Sequence, residues 1–254
     1  MTQDIAVEVH GNGEPIVMIH GLGGTSNVFT PQVEALSRFF QIIRPDLPGS
    51  GRSPANGTVS IGGLVDAVLS VMERSNVQAA HIVGHSMGTI VCQHLAQLHP
   101  AKVRSLALLG PLAAPPEAAR AAVRDRAAKA RKEGMVGIAD AIVQSGTSAS
   151  TRASRPEAAT LVRELLMRQD PEGYARSCEA LADAQAADLS GVTCPTLLMT
   201  GSDDVVAPPP AVRELGLRIQ GARVIVWSGC GHWTTLERPA EVTEALLNFY
   251  LGKS

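Results

Sequence analysis

The 254-residue sequence has few aromatic side chains and no strong excess of either charge. Phe, Trp and Tyr make up 3% of the chain, and the formal net charge is -2. A chain with this balance lacks the basic surface that nucleic-acid-binding proteins use, so we expect no nucleic-acid partner. Hydrophobic residues make up 45% and charged residues 18%, a composition that excludes a disordered polyelectrolyte. The length suits one α/β domain or two small ones.

Long apolar runs and targeting signals are also missing. No run reaches the roughly 18 apolar residues that a membrane-spanning helix needs. Residues 1–15 contain neither the basic nor the apolar stretch of a secretory signal. The four cysteines form no C-x-x-C pair and are not grouped with histidines at the spacing of metal ligands, which argues against a disulfide framework and against zinc. We therefore expect a cytoplasmic protein with free thiols, no membrane association and no metal; the sequence predicts no particular oligomeric state.

Short apolar runs bounded by glycine or proline indicate buried strands. Continuous apolar runs of this length are typical of strands covered on both faces, as in a parallel sheet. The predicted strands are residues 16–19, 41–44, 81–83, 103–109, 196–199 and 223–227.

Helical patterns alternate with these strands. Ser60 precedes a predicted helix over residues 61–74, and a second helix follows Ser86 and stops at Pro100. A last helix begins near Pro239 and carries one apolar face. This alternation predicts an α/β fold with a doubly wound, mostly parallel sheet.

Residues 111–190 break the alternation. They hold 21 of the 35 alanines, a single aromatic residue, Tyr174, and no convincing strand. We predict a helical lid (cap) there, inserted between two core strands, because the segment is too long for one crossover. The core is then residues 1–110 and 191–254. The helices predicted within the lid are residues 115–132, 138–143, 158–169 and 174–186.

The pattern GHSMG at residues 84–88 lies between a predicted strand and a predicted helix. This is the context of the G-x-S-x-G nucleophile elbow, in which a tight turn lifts the serine hydroxyl clear of the sheet. Ser86 is therefore the candidate nucleophile. We expect the N–H groups of Leu22, in the glycine-rich turn 20–24, and of Met87 to form an oxyanion hole.

A serine hydroxyl needs a base, and His232 is the candidate because it follows the last predicted strand. Two adjacent carboxylates, Asp203 and Asp204, follow the preceding strand, and either can orient the imidazole. The chain order of serine, aspartate and histidine is the one found on the α/β-hydrolase fold. We expect His20 to support the glycine-rich turn and to take no direct part in catalysis.

With these residues in place, the chain resembles the α/β-hydrolase superfamily over nearly its full length. In that superfamily the acid commonly stands three residues after the glycine of a G-x-x-D pattern, which selects Asp204. The serine at position 86 separates the chain from relatives with an aspartate nucleophile, such as haloalkane dehalogenases. The resemblance implies neither a metal nor an organic cofactor. The matching segments are HGLGG (20–24), DLPGSGRS (46–53), GHSMG (84–88), GSDD (201–204) and GCGHW (229–233).

Within the superfamily the chain is most similar to 3-oxoadipate enol-lactonases and related carboxylic-ester hydrolases. This likeness rests on the small helical lid and on residues 170–174 and 194–196. Thr89 stands where those lactonases usually have a second glycine, and the lid has no tryptophan. The segment GCGHW and residues 109–111 also resemble the carbon–carbon hydrolases of meta-cleavage pathways.

The resemblance implies a serine hydrolase that cleaves a small carboxylic ester or lactone, with an enol-lactone among the candidates. The alternatives are a carbon–carbon bond hydrolase of meta-cleavage type and a non-catalytic ligand receptor on the same fold. The expected partner is a small-molecule substrate.

Overall fold

Seven strands form one sheet in the computed structural model, which describes residues 4–56 and 59–252. Their order across the sheet is β1-β3-β2-β4-β5-β6-β7. β1 is antiparallel to β3, and every other neighbouring pair is parallel, so the predicted mostly parallel sheet is confirmed. The strands are β1 (Val7–His10), β2 (Glu14–Ile19), β3 (Phe40–Pro45), β4 (Ala80–His85), β5 (Val103–Leu109), β6 (Thr196–Gly201) and β7 (Arg223–Trp227).

The central strands are buried along consecutive residues. Every residue of β6 is buried, and so are the last four residues of β2 and of β4. Consecutive burial of this kind requires cover on both faces of the sheet. α2 packs against α3, and α1 packs against α11, while α3 contacts β4 and β5. The helices of the described residues are α1 (Thr30–Leu36), α2 (Ile61–Arg74), α3 (Met87–Leu98), α4 (Glu117–Glu133), α5 (Val136–Gly146), α6 (Ala149–Ser154), α7 (Pro156–Met167), α8 (Pro171–Asp183), α9 (Pro209–Leu217), α10 (Thr234–Glu237) and α11 (Pro239–Tyr250).

Helices α4 to α8 all lie between β5 and β6, and we call residues 111–190 the helical insertion. Four of these five helices match the sequence prediction, and α6 is the additional one. The division of the chain into a core of 1–110 and 191–254 and a lid of 111–190 stays a prediction about domains. The terminal residues 1–3 and 253–254 of that predicted core lie outside the described residues.

Alanine allows the insertion to pack closely. α4 and α8 lie side by side, and α4 buries Ala127 and Ala130 in this region. α8 contributes Ala175 and Ala182, which are both fully buried. Side chains this small bring helix axes together without large aromatic groups between them, which explains the composition of the segment. None of the helices in the described ranges is long and apolar enough to cross a membrane.

Candidate active site

Ser86 occupies a sharp turn between β4 and α3. Its backbone has φ 53° and ψ -123°, a left-handed conformation that a non-glycine residue seldom adopts. Gly84 and Gly88 make the turn possible because a Cβ on Gly84 would lie 2.5 Å from the Cys92 sulfur, and one on Gly88 2.3 Å from the Ile19 carbonyl oxygen. The strained turn therefore presents the serine hydroxyl above the carboxyl end of the sheet.

His232 lies in the loop between β7 and α10 and contacts Ser86 above the carboxyl ends of the strands. Its Nε2 accepts a hydrogen bond from the Ser86 hydroxyl at 2.8 Å, and its Nδ1 donates to Asp204 Oδ2 at 2.8 Å. The three residues follow β4, β6 and β7, and parallel strands bring such loops to one edge. The structure thus brings together Ser86, His232 and, of the two candidate aspartates, Asp204, the one that the superfamily pattern selects.

The two adjacent aspartates have opposite environments. Asp204 is buried, and its Oδ1 accepts from the backbone N–H groups of Val206 and Ala207 at 2.8 Å each. Burial acts to raise the pKa of Asp204, but the contact with His232 and the two N–H groups outweigh it and lower the pKa to about 2. Asp203 is exposed, and its carboxylate accepts from the Ser202 hydroxyl instead.

The glycine-rich turn after β2 packs directly on Ser86. A Cβ on Gly21 would lie 2.6 Å from the Ser86 Cβ, so only glycine permits this approach. In the ranges that the structure describes, the N–H groups of Leu22 and Met87 donate to no protein acceptor. Both are thus available to an oxyanion beside the serine.

Two buried histidines support the site through backbone contacts. His20 Nε2 accepts from the Leu47 N–H at 2.9 Å, which leaves its Nδ1 to donate to the Gly21 carbonyl. His85 Nε2 donates to the His232 carbonyl at 2.9 Å. Burial lowers the pKa of both imidazoles, that of His85 to about 3, so both are neutral near pH 7.

Gly110, at the end of β5, has a role in the site that the sequence did not predict. It has φ 55°, and a Cβ there would lie 2.8 Å from His232 Cε1. A glycine next to a predicted strand end was visible in the sequence, but its contact with a residue 122 positions away was not. Among the described residues, no group of three or more His, Cys, Asp or Glu side chains is arranged to hold a metal ion.

Comparison with known proteins agrees with this architecture. The chain is 28% identical over 241 residues to (E)-2-((N-methylformamido)methylene)succinate hydrolase of Acinetobacter baylyi, covering 93% of this chain and 90% of that protein. A thermophilic esterase from Thermogutta terrifontis, solved with malate bound, superposes with a TM-score of 0.94 at 25% identity, covering 99% of this chain and 97% of the other. The enol-lactonase of Burkholderia xenovorans LB400 superposes with a TM-score of 0.90 at 29% identity, covering 99% of each chain.

The family assignment rests on the sequence profile together with the fold. Residues 14–170 match the alpha/beta hydrolase fold family. The matched range includes the glycine-rich turn, the nucleophile elbow and most of the helical insertion, and the sheet order and strand directions agree with it. The chain belongs to the α/β-hydrolase fold family, with enol-lactonase-like relatives.

Proposed function

We propose that the protein is a serine hydrolase that cleaves a small carboxylic ester or lactone. The observation that carries the proposal is the continuous chain of hydrogen bonds from the Ser86 hydroxyl through His232 to Asp204. Neutral serine is a weak nucleophile, and a base that is itself oriented by a buried carboxylate makes it reactive.

The reaction follows from the positions of these groups. Ser86 Oγ attacks the carbonyl carbon while His232 Nε2 takes the hydroxyl proton, and Asp204 stabilises the imidazolium. The N–H groups of Leu22 and Met87 stabilise the oxyanion. When the tetrahedral intermediate collapses, the proton on His232 passes to the leaving alkoxide, and the acyl-enzyme remains. Water then attacks the acyl group, again with His232 as base. When the second tetrahedral intermediate collapses, the bond to Ser86 Oγ breaks, Oγ takes back the proton from His232, and the carboxylic acid leaves.

The relatives support a carbonyl-directed hydrolysis. An esterase and an enol-lactonase share the fold over 99% of this chain. The buried Asp204 has the geometry needed to hold one imidazole tautomer, with Nδ1 protonated and Nε2 free to accept. A serine activated in this way attacks a carbonyl carbon whose leaving group can take the proton from His232, and esters and lactones are the simplest substrates of that kind.

The test is hydrolysis of p-nitrophenyl butyrate by the wild type and by Ser86→Ala. We expect kcat to fall by roughly a million-fold in the variant, since the nucleophile is lost. A matched control is Ser105→Ala. Ser105 lies in β5 and is also buried, but its hydroxyl bonds to His81 of β4. It should keep its kcat. Near-normal esterase activity in Ser86→Ala would refute the proposal.

A fluorophosphonate probe and a second substrate separate the alternatives. The proposal expects covalent labelling at Ser86 and turnover of the ester. A folded protein that is never labelled would instead be a ligand receptor. Labelling combined with turnover of a ring-fission dienoate and none of the ester would indicate a carbon–carbon hydrolase.

A further inference from the structure

Glu237 is a buried carboxylate outside the proposed triad. It is the last residue of α10, and its exposed fraction is 0%. Four neutral donors converge on it. Oε2 accepts from the Ser148 N–H at 2.9 Å, the Thr151 hydroxyl at 2.7 Å and the Gly231 N–H at 3.0 Å, while Oε1 accepts from the Trp233 N–H at 3.1 Å.

Two of these donors flank His232 in the chain. The Gly231 and Trp233 N–H groups bind Glu237, and the His232 N–H between them binds the Gly146 carbonyl at 2.7 Å. Three consecutive amides are therefore fixed by buried acceptors. Because the imidazole is attached to the middle residue, its position between Ser86 and Asp204 depends on this anchoring.

The other two donors belong to the helical insertion. Ser148 precedes α6 and Thr151 lies in its first turn, while Gly146 ends α5. The α5–α6 turn packs tightly against the loop between β7 and α10, here called the catalytic loop, which carries His232. A Cβ on Gly231 would lie 2.7 Å from both the Gly146 carbonyl oxygen and the Ser148 nitrogen. One carboxylate thus joins the insertion to the loop that carries the base.

We propose that Glu237 is a positioning residue for His232 and that it makes the geometry of the base depend on the docked α5–α6 turn. This inference rests on the proposed function, in which His232 is the base. Misplacement of a reacting group by about 1 Å costs as much as 100-fold in rate, so loss of this anchor lowers kcat although Glu237 touches no substrate.

The test is Glu237→Gln. The amide fills nearly the same volume, but its NH₂ group cannot accept a hydrogen bond. The donors that bind one of the two carboxylate oxygens in the wild type therefore lose their acceptor. We expect kcat for p-nitrophenyl butyrate to fall about 10- to 100-fold, with KM changed by less than about threefold. The rate of fluorophosphonate labelling at Ser86 should fall in parallel, because both reactions need the same base.

Thr151→Val is the second variant, and it removes one donor from the insertion while it leaves the carboxylate in place. We expect an intermediate fall in kcat, about two- to fivefold, at unchanged KM. This variant keeps the test valid if Glu237→Gln does not accumulate as folded protein. An unchanged kcat in the folded Glu237→Gln protein, or in Thr151→Val if only that variant folds, would overturn the inference.

Gln32→Met is the matched control. Gln32 is also fully buried. It donates to the backbone carbonyls of Thr235, in α10, and Pro239, at the start of α11, and it does not contact the amides beside His232. It should lower the melting temperature and leave kcat unchanged. If Glu237→Gln likewise loses only thermal stability, Glu237 is structural and the inference fails. If the wild type is never labelled at Ser86, the proposed function fails instead.

Discussion

Asp203 and Asp204 are neighbours in the chain, yet only Asp204 contacts His232. Asp204 bonds to the imidazole, and its second oxygen is fixed by two backbone N–H groups, so its orientation is set before the substrate arrives. Asp203 is exposed and accepts from a neighbouring serine. The residues alone left both candidates open, and only the superfamily pattern selected Asp204, because burial of one of two adjacent carboxylates is decided by the turn that follows β6.

The corresponding prediction compares Asp204→Asn with Asp203→Asn. In the first variant the amide no longer stabilises the imidazolium and favours the wrong tautomer, so kcat should fall by roughly 10⁴-fold. In the second, kcat should stay within about threefold of the wild type, since the side chain is solvated. Both are measured with p-nitrophenyl butyrate at saturating concentration. A larger loss at position 203 would reverse the assignment.

The supporting residues of the site were harder to predict than the reacting ones. Ser86 and His232 lie in recognisable local patterns, GHSMG and GCGHW. Glu237 and His85 carry no such signal: His85 bonds to the distant His232 carbonyl, and Glu237 bonds to donors of the helical insertion as well as to N–H groups four and six positions before it. The imidazole of His85 contacts the His232 carbonyl, and that contact spans 147 positions in sequence. Hydrogen bonds to the backbone of a distant segment leave no trace in residue spacing.

At the scale of elements, local chemistry predicted some boundaries well. Ser60 was expected to precede a helix over residues 61–74, and α2 has these bounds, with the Ser60 hydroxyl accepting from the Gly63 N–H at 3.1 Å. β1 was not predicted. It has four residues, lies at the sheet edge and is half exposed, so it shows neither a continuous apolar run nor a long alternation. α6 is similarly short, and its six residues include two serines and a threonine.

Gly110 lies between β5 and the helical insertion, directly beside His232. Gly110→Ala should lower kcat by about tenfold or more, because the new Cβ would lie 2.8 Å from His232 Cε1 and 2.9 Å from Nδ1, which forces the imidazole to move. It should also cost about 1 to 2 kcal/mol of stability from the positive φ. The measurements are kcat and the urea midpoint of unfolding.

Gly221→Ala is the control for Gly110→Ala. Gly221 has φ 73°, and a Cβ there would have no atom within 4 Å. This variant should therefore lose a similar amount of stability from backbone strain and keep its kcat. Equal kcat values for the two variants would mean that contact with His232 at the end of β5 does not matter for the reaction.

At the scale of the whole molecule, the sheet and the helical insertion are built from different side chains. The insertion, residues 111–190, holds most of the alanines and a single aromatic residue. The buried sheet uses branched aliphatic residues such as Ile16, Ile42 and Ile82, while the insertion uses alanine between α4 and α8. Fold class was predictable because strands covered on both faces show continuous apolar runs. The way in which the insertion contacts the catalytic loop was not predictable, since it depends on turns such as residues 146–148 that have no periodic pattern.

Buried neutral histidines also give the whole molecule a predictable response to acid. His20 and His85 are fully buried, and burial lowers both pKa values, that of His85 to about 3. Unfolding exposes them to water, where the ordinary value is 6.5. For His85, the unfolded state therefore binds more protons than the folded state between about pH 3 and pH 6.5. The contribution of these imidazoles to the free energy of unfolding therefore falls as the pH decreases below 6.5, and for His85 the slope approaches about 1.4 kcal/mol per pH unit.

The variant His85→Gln isolates one of these contributions. Glutamine can still donate to the His232 carbonyl but does not titrate, so the decrease in unfolding free energy from pH 6 to pH 4.5 should be less steep by about 1.4 kcal/mol per pH unit. Urea unfolding at a series of pH values measures this slope. His10→Gln, at an exposed position on β1, should leave the slope unchanged. If His85→Gln and the wild type lose stability equally over this range, His85 takes up its proton in the folded state, and its burial does not govern its charge.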